Sequence, residues 1–238
     1  MIFIARRKAV VACLFLMIAL FALILSGPEK VPVFSGKLTG CIVIDAGHGL
    51  PDGGAVGMNG SIESTLNLKI ALMTEKLLKE KGYNVIMTRT DDDALTSEGK
   101  TIAVRKRNDM YKRLDIINSS GADIFISIHM NKFTDSRYKG AQVIYSDNFT
   151  QSQTLAESLQ KALCSLKENT SKRTALKAPQ SIFLLKHASI PAVIVECGFL
   201  SNFEEERLLN TDKYQNAVSK AIVKGIENYY SSQKDRKE

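Results

Sequence analysis

Three short apolar runs rich in β-branched residues each stop at a side chain able to do chemistry, and no other pattern in the chain restricts its fold as tightly. Ile42-Val43-Ile44 leads through Asp45-Ala46-Gly47 to His48 and Gly49. Ile124 to Ile128 leads into His129, and Ala192 to Val195 leads into Glu196. Runs of this length bounded by turn residues read as buried strands. Strands apolar on both faces belong in a parallel sheet, where reactive groups gather beyond the carboxyl ends. Two imidazoles and a carboxylate are thereby directed to one sheet edge.

Between these runs the periodicity is helical. A glycine-rich loop covers Ala46 to Gly60, and Ser61 can cap a helix whose stripe is Leu66, Ile70, Met73 and Leu77, closed by Gly82. Val85 to Met87 reads as a strand, Thr88 to Glu98 as a polar surface loop, and Val104 to Asn118 as a helix. A strand over Gly140 to Tyr145 precedes a helix over Gln151 to Leu166; Lys167 to Lys177 has no pattern, and Ile182 to Leu185 reads as a short strand. Helices over Asn202 to Leu209 and Thr211 to Tyr230 complete the chain. This alternation predicts one α/β domain over residues 40–231, a mainly parallel twisted sheet with helices on both faces, then a charged tail over 232–238.

At the other end, Arg6-Arg7-Lys8 precedes an unbroken apolar run from Ala9 to Leu25. Residues 1–27 read as a signal anchor or signal peptide, and the poor cleavage site Ile24-Leu25-Ser26-Gly27 favours the uncleaved anchor. Residues 28–39, with two prolines before Lys37, form a linker. Either reading exports the remainder across a membrane. The net charge of +7 falls to +4 without the first thirty-six residues, and no basic cluster stands out, which argues against nucleic acid. Four scattered cysteines show neither CxxC spacing nor a disulfide framework.

The donor set is that of a zinc hydrolase. Such sites use three protein ligands and keep a fourth position open, and His48, Glu63 and His129 supply a His/Glu/His set. Glu63 falls in a first helical turn, where the helix dipole alone would favour a carboxylate. A fifteen-residue loop from His48 could equally return it to the sheet edge, and spacing leaves both readings open. Glu196 is the free carboxylate for moving a proton from water to a leaving amine. His187, in a Lys-His-Ala-Ser turn, reads as surface, and Cys197 as structural. Neither GxSxG nor GxxxxGK[ST] is present.

Several of these pieces together resemble the zinc-dependent N-acetylmuramoyl-L-alanine amidases of bacterial cell walls. They are Ile42 to Gly57 with its Asp-x-Gly-His-Gly start, Glu63, Arg113 to Asn118, Ser127 to Asn131 and Pro191 to Asn202. The resemblance implies one zinc ion on His48, Glu63 and His129, Glu196 as the catalytic carboxylate, and peptidoglycan as substrate. It also selects the ligand reading of Glu63. Ala46 stands where the family often has proline, and Leu50 where it usually has glycine. A single catalytic domain behind one hydrophobic segment is most similar to the spore-cortex amidases, which help form muramic lactam. An accessory protein for localisation or activation is compatible with that layout. Few residues separate His129 from the strand at Gly140, so an open site is expected. The rival readings are a general vegetative wall amidase, a zinc carboxypeptidase or deacetylase on the same polymer, and a non-catalytic muropeptide-binding module.

Overall fold

A computed structural model describes residues 40–168 and 172–234. The expected N-terminal segment, the whole linker and residues 235–238 of the tail lie outside the described residues. Among the described residues no helix is long and apolar enough to cross a membrane.

Six strands form one sheet: β1 (Cys41–Ala46), β2 (Asn84–Met87), β3 (Ile124–Asn131), β4 (Gln142–Tyr145), β5 (Leu176–Lys177) and β6 (Ala192–Phe199), in the order β2-β1-β3-β6-β4-β5. The four strands from β2 to β6 are parallel, β4 runs antiparallel to β6, and β5 is parallel to β4. The helices are α1 (Glu63–Glu80), α2 (Ile102–Ser119), α3 (Thr150–Cys164), α4 (Phe183–His187), α5 (Phe203–Leu209) and α6 (Asp212–Lys234).

Alternation along the central strands divides the core. Ile42, Ile44, Ile126, Ile128, Val193 and Val195 face α1, α3 and α6. Val43, Phe125 and Ile194 face the smaller layer containing Ile117 of α2 and Leu184 and Leu185 of α4. A strand with apolar side chains on both faces must be covered twice, which explains the continuous apolar runs.

Several local expectations are corrected. Ile182 to Leu185 is not a strand, since residues from Phe183 form the short helix α4, with Leu184 and Leu185 buried. A brief apolar run fits one helical turn as well as a strand. Leu176 and Lys177, expected to be structureless, form the two-residue edge strand β5. Ser61 does not cap α1; Ile62 holds that position without a side-chain hydrogen bond, while the Ser61 hydroxyl donates to Glu206 Oε1 at 2.6 Å. The segment from Thr88 to Glu98 is more than a surface loop, because Thr88, Arg89 and Thr96 are buried. His129 and Glu196 lie inside β3 and β6, which continue to Asn131 and Phe199.

Beneath the loop after β1 lies a buried ion cluster. Asp45 accepts hydrogen bonds from Arg113 and Ser127, and from Thr88 Oγ1 at 2.6 Å. Arg113 also donates to Asp109 Oδ2 at 2.7 Å, to the Ala46 carbonyl at 2.9 Å and to the His48 carbonyl. Burial would raise the Asp45 carboxyl, but Arg113 and the two hydroxyls outweigh it and bring it from 3.8 to about 2. Arg113→Met would leave Asp45 and Asp109 buried without their cation and is expected to cost about 3–5 kcal/mol, read from the urea midpoint. Because the folded-state pKa of Asp45 is depressed, its contribution is complete above about pH 4 and is lost as pH falls toward about 2. The acid-unfolding midpoint of Asp45→Asn should therefore depend less on this window than that of the wild type.

Candidate active site

Each candidate side chain reaches one edge of the sheet by a different local device. His48 follows β1 in a turn with φ of 63°, a left-handed conformation that costs a non-glycine residue roughly 1–2 kcal/mol. Buried Arg89 holds this turn by donating to the carbonyls of Ala46 at 2.8 Å, Gly47 at 3.1 Å and Ser64 at 2.7 Å. The Ser64 contact ties the start of α1 to the same turn. Glu63 opens α1 and is almost wholly buried. Its Oε2 accepts from Ala55 N at 2.7 Å, and its Oε1 accepts from Met130 N at 3.2 Å and Asn67 Nδ2 at 3.4 Å.

His48, Glu63 and His129 come together. Glu63 Oε1 lies 2.9 Å from His129 Nδ1 and 3.3 Å from His48 Nε2. One ligand atom from each of the three lies within 4.8 Å of the others, a group able to hold a metal ion. The imidazoles stand edge to face, with ring centroids 5.0 Å apart. Space for them depends on glycine. A Cβ on Gly47 would lie 2.2 Å from His129 Nε2, and one on Gly54 would lie 2.5 Å from Glu63 Oε2 and 2.8 Å from His48 Cδ2.

Glu196 pairs in register with His129 across β3 and β6, so both side chains project from the same face of the sheet. Its Oε2 is buried without a hydrogen-bond partner among the described residues. Burial pushes the carboxyl up to about 7, with a further rise from Glu63 and an opposing pull from the two histidines. Glu63 behaves oppositely: burial is outweighed by hydrogen bonds from His129 and His48, which hold it far below the usual carboxylate range. For His48, burial works against protonation, but Asp52 and Glu63 raise the imidazole to about 9. Two neighbouring carboxylates with opposite shifts mark a site in which one holds charge and the other can exchange a proton.

His187 lies elsewhere, exposed at the end of α4 against the Phe183 ring. Cys197 is fully buried, and burial pushes its thiol up. Residues 132–141 connect β3 to β4 with no helix, in keeping with the expected open site. Four neighbours were not singled out from the sequence: Asp52, Asn67, Arg89 and Lys106. Asn67 carried a signal, since it lies one helical turn after Glu63 on α1; Asp52 also lies close to His48 in sequence, inside the glycine loop.

Residues 42–228 match the family described as N-acetylmuramoyl-L-alanine amidase. The chain belongs to this family. Its enzymatic activity is therefore that of an N-acetylmuramoyl-L-alanine amidase, with peptidoglycan as substrate. The amidase is 38% identical over 209 residues to the germination-specific N-acetylmuramoyl-L-alanine amidase of Bacillus subtilis, covering 87% of this chain and 85% of that one. It is similar to the CwlD amidase of Clostridioides difficile, solved in complex with the GerS lipoprotein, with 38% identity and a TM-score of 0.78. That match covers 81% of this chain and 99% of the other. The catalytic domain of CwlV from Paenibacillus polymyxa is 30% identical, with a TM-score of 0.69, over 81% of this chain and 98% of that one.

Gly47→Ala in this amidase is expected to push the His129 imidazole out of the group. A crystal structure of the variant should show the ring displaced, and equilibrium dialysis should show divalent-metal affinity reduced by about tenfold or more.

Proposed function

We propose that this amidase is zinc-dependent, with His48, Glu63 and His129 as ligands and Glu196 as the catalytic carboxylate, and that it works in spore-cortex maturation. The observation that carries the zinc reading is the convergence of two imidazole nitrogens and a carboxylate oxygen within 4.8 Å. This is a hydrolytic zinc donor set, and the Gly47 and Gly54 cradle leaves room around it. When bound there, zinc supplies Lewis acidity, which acidifies a water molecule and polarises an amide carbonyl.

The chain's own residues supply the rest. Glu63 holds its negative charge through hydrogen bonds from Ala55 N, Met130 N and Asn67 Nδ2, which fix its carboxylate beside both imidazoles. Glu196, poised near neutrality by burial, can take a proton at Oε2 from the attacking water. It then delivers that proton to the nitrogen of L-alanine as the bond to the lactyl group breaks. The products are a glycan with a free lactyl carboxylate and a stem peptide with a free amino terminus.

Purified chain incubated with peptidoglycan should release peptides beginning with L-alanine, resolved by chromatography and mass spectrometry. A chelator should stop release and zinc should restore it. Glu196→Gln should retain about one zinc per chain and lose roughly 10²–10⁴-fold in kcat/KM. Release of acetate instead would favour the deacetylase reading, and zinc-independent release would remove the metal from the mechanism.

The cortex role is supported by the identity to the germination-specific enzyme. An accessory partner is supported by the assembly of the similar CwlD amidase with a lipoprotein. Attachment to the outer face of a membrane is supported by the apolar run from Ala9 to Leu25. In the host, deletion of the gene should leave cortex without muramic lactam. Removal of residues 9–25 should release the enzyme from the membrane fraction. Normal cortex after deletion would favour the vegetative reading.

A further inference from the structure

His48 is gripped on the side away from Glu63. Its Nδ1–H donates to Asp52 Oδ2 across 3.0 Å, while Nε2 lies 3.3 Å from Glu63 Oε1. An imidazole that binds metal through one nitrogen commonly donates its other N–H to a carboxylate, which fixes tautomer and ring orientation. Asp52 is itself held. Lys106 Nζ on α2 reaches the same Oδ2 at 2.8 Å, and Gly54 N donates to Oδ1 at 3.4 Å. Gly49 and Asp52 also exchange backbone hydrogen bonds of 3.0 and 2.9 Å, closing the loop on itself. Oδ2 is shared between His48 and Lys106, Oδ1 accepts from Gly54, and Asp52 is not itself one of the three donors. Lys106, with its side chain 51% exposed, lines a cavity of about 60 Å³ together with His48 and His129. The carboxylate is thus fixed between a ligand ring and a cation from another element.

We propose that Asp52 is a positioning residue for His48, clamped by Lys106, and that this clamp governs how tightly the centre holds its metal. The proposal rests on the zinc reading. Without Asp52 the ring loses the acceptor for Nδ1–H and is free to rotate or change tautomer, so Nε2 is presented for only part of the time.

The test measures zinc affinity by competition with a chromophoric chelator, and the fold of each variant by circular dichroism. Asp52→Ala should weaken zinc binding by about 10–100-fold. Asp52→Asn, which keeps an acceptor for Nδ1–H, should fall between that variant and wild type. Wild-type affinity in either variant overturns the proposal. The chain has three histidines, so the imidazole protons are assignable by NMR. Zinc-loaded wild type should show a slowly exchanging, low-field Nδ1 proton on His48, absent from Asp52→Ala. Persistence of that signal would also overturn the proposal. Lys106→Met should shift affinity by at least about twofold in wild type and leave Asp52→Ala unchanged. Equal shifts in both backgrounds would show that Lys106 does not act through Asp52. His48→Ala separates the two levels: unaltered zinc affinity there would sink the zinc reading itself. Zinc lost from His48→Ala but kept by Asp52→Ala would sink only the role of Asp52.

Discussion

The buried Asp45–Arg113 pair is the constraint on which the site depends. Asp45 sits on β1 in register with Ser127 of β3, and Arg113 comes from α2 on the smaller side of the sheet. Burying either charge alone would be costly, and the pair is tolerated because each group is saturated with further partners. Those partners include the carbonyls of Ala46 and His48, so the ion cluster also fixes the turn that presents the first histidine. Arg89 binds the same turn from another direction and adds the carbonyl of Ser64. Two guanidiniums, whose planar forks suit several acceptors at once, thereby hold a strained backbone in place.

Carboxylates in this molecule divide according to how completely they are satisfied. Glu206 is fully buried and accepts from Asn59 and Ser61, stapling the loop that delivers Glu63 to α5. Its neighbour Glu205 accepts from Gly140 N at 2.8 Å and Phe199 N at 2.9 Å, tying the start of β4's segment to the end of β6. Glu196 differs: one oxygen is buried and unpartnered among the described residues. Glu205 and Glu206, with their oxygens satisfied by backbone and side-chain donors, are braces, whereas the unsatisfied oxygen of Glu196 leaves a place where a proton can be held. Residue type is shared, and the surroundings separate the roles.

Much of this was legible from residue order. The runs ending near His48, His129 and Glu196 are central strands because only doubly covered strands are apolar on both faces. Helices α1, α3 and α6 follow from the sequence, though in the expected α1 stripe Met73 and Leu77 are only half-buried while Thr74 and Leu78 are buried, and Gly82 with φ of 83° closes α1 as expected. Short segments were not legible in the same way. The turn at Phe183 to His187 and the two-residue β5 carry too few residues for a period to be expressed. Ser61 has the composition of a cap but meets Glu206 instead, a partner more than a hundred residues away. Arg89 lies in a polar stretch whose composition suggests solvent, yet it is buried because unpaired carbonyls await it.

By itself the sequence determined the element alternation, the parallel central strands and the identity of the side chains at the sheet edge, since these follow from local period and composition. It also left Glu63 divided between a helix-terminus charge and a site carboxylate. Tertiary structure decided that Glu63 lies within hydrogen-bonding reach of His129, that Asp52 and Lys106 stand behind His48, and that Arg113 and Arg89 lock the turn. The physical reason is range. Hydrophobic periodicity is written among residues a few positions apart, whereas buried charges are satisfied by whichever distant donors the packed chain brings to them.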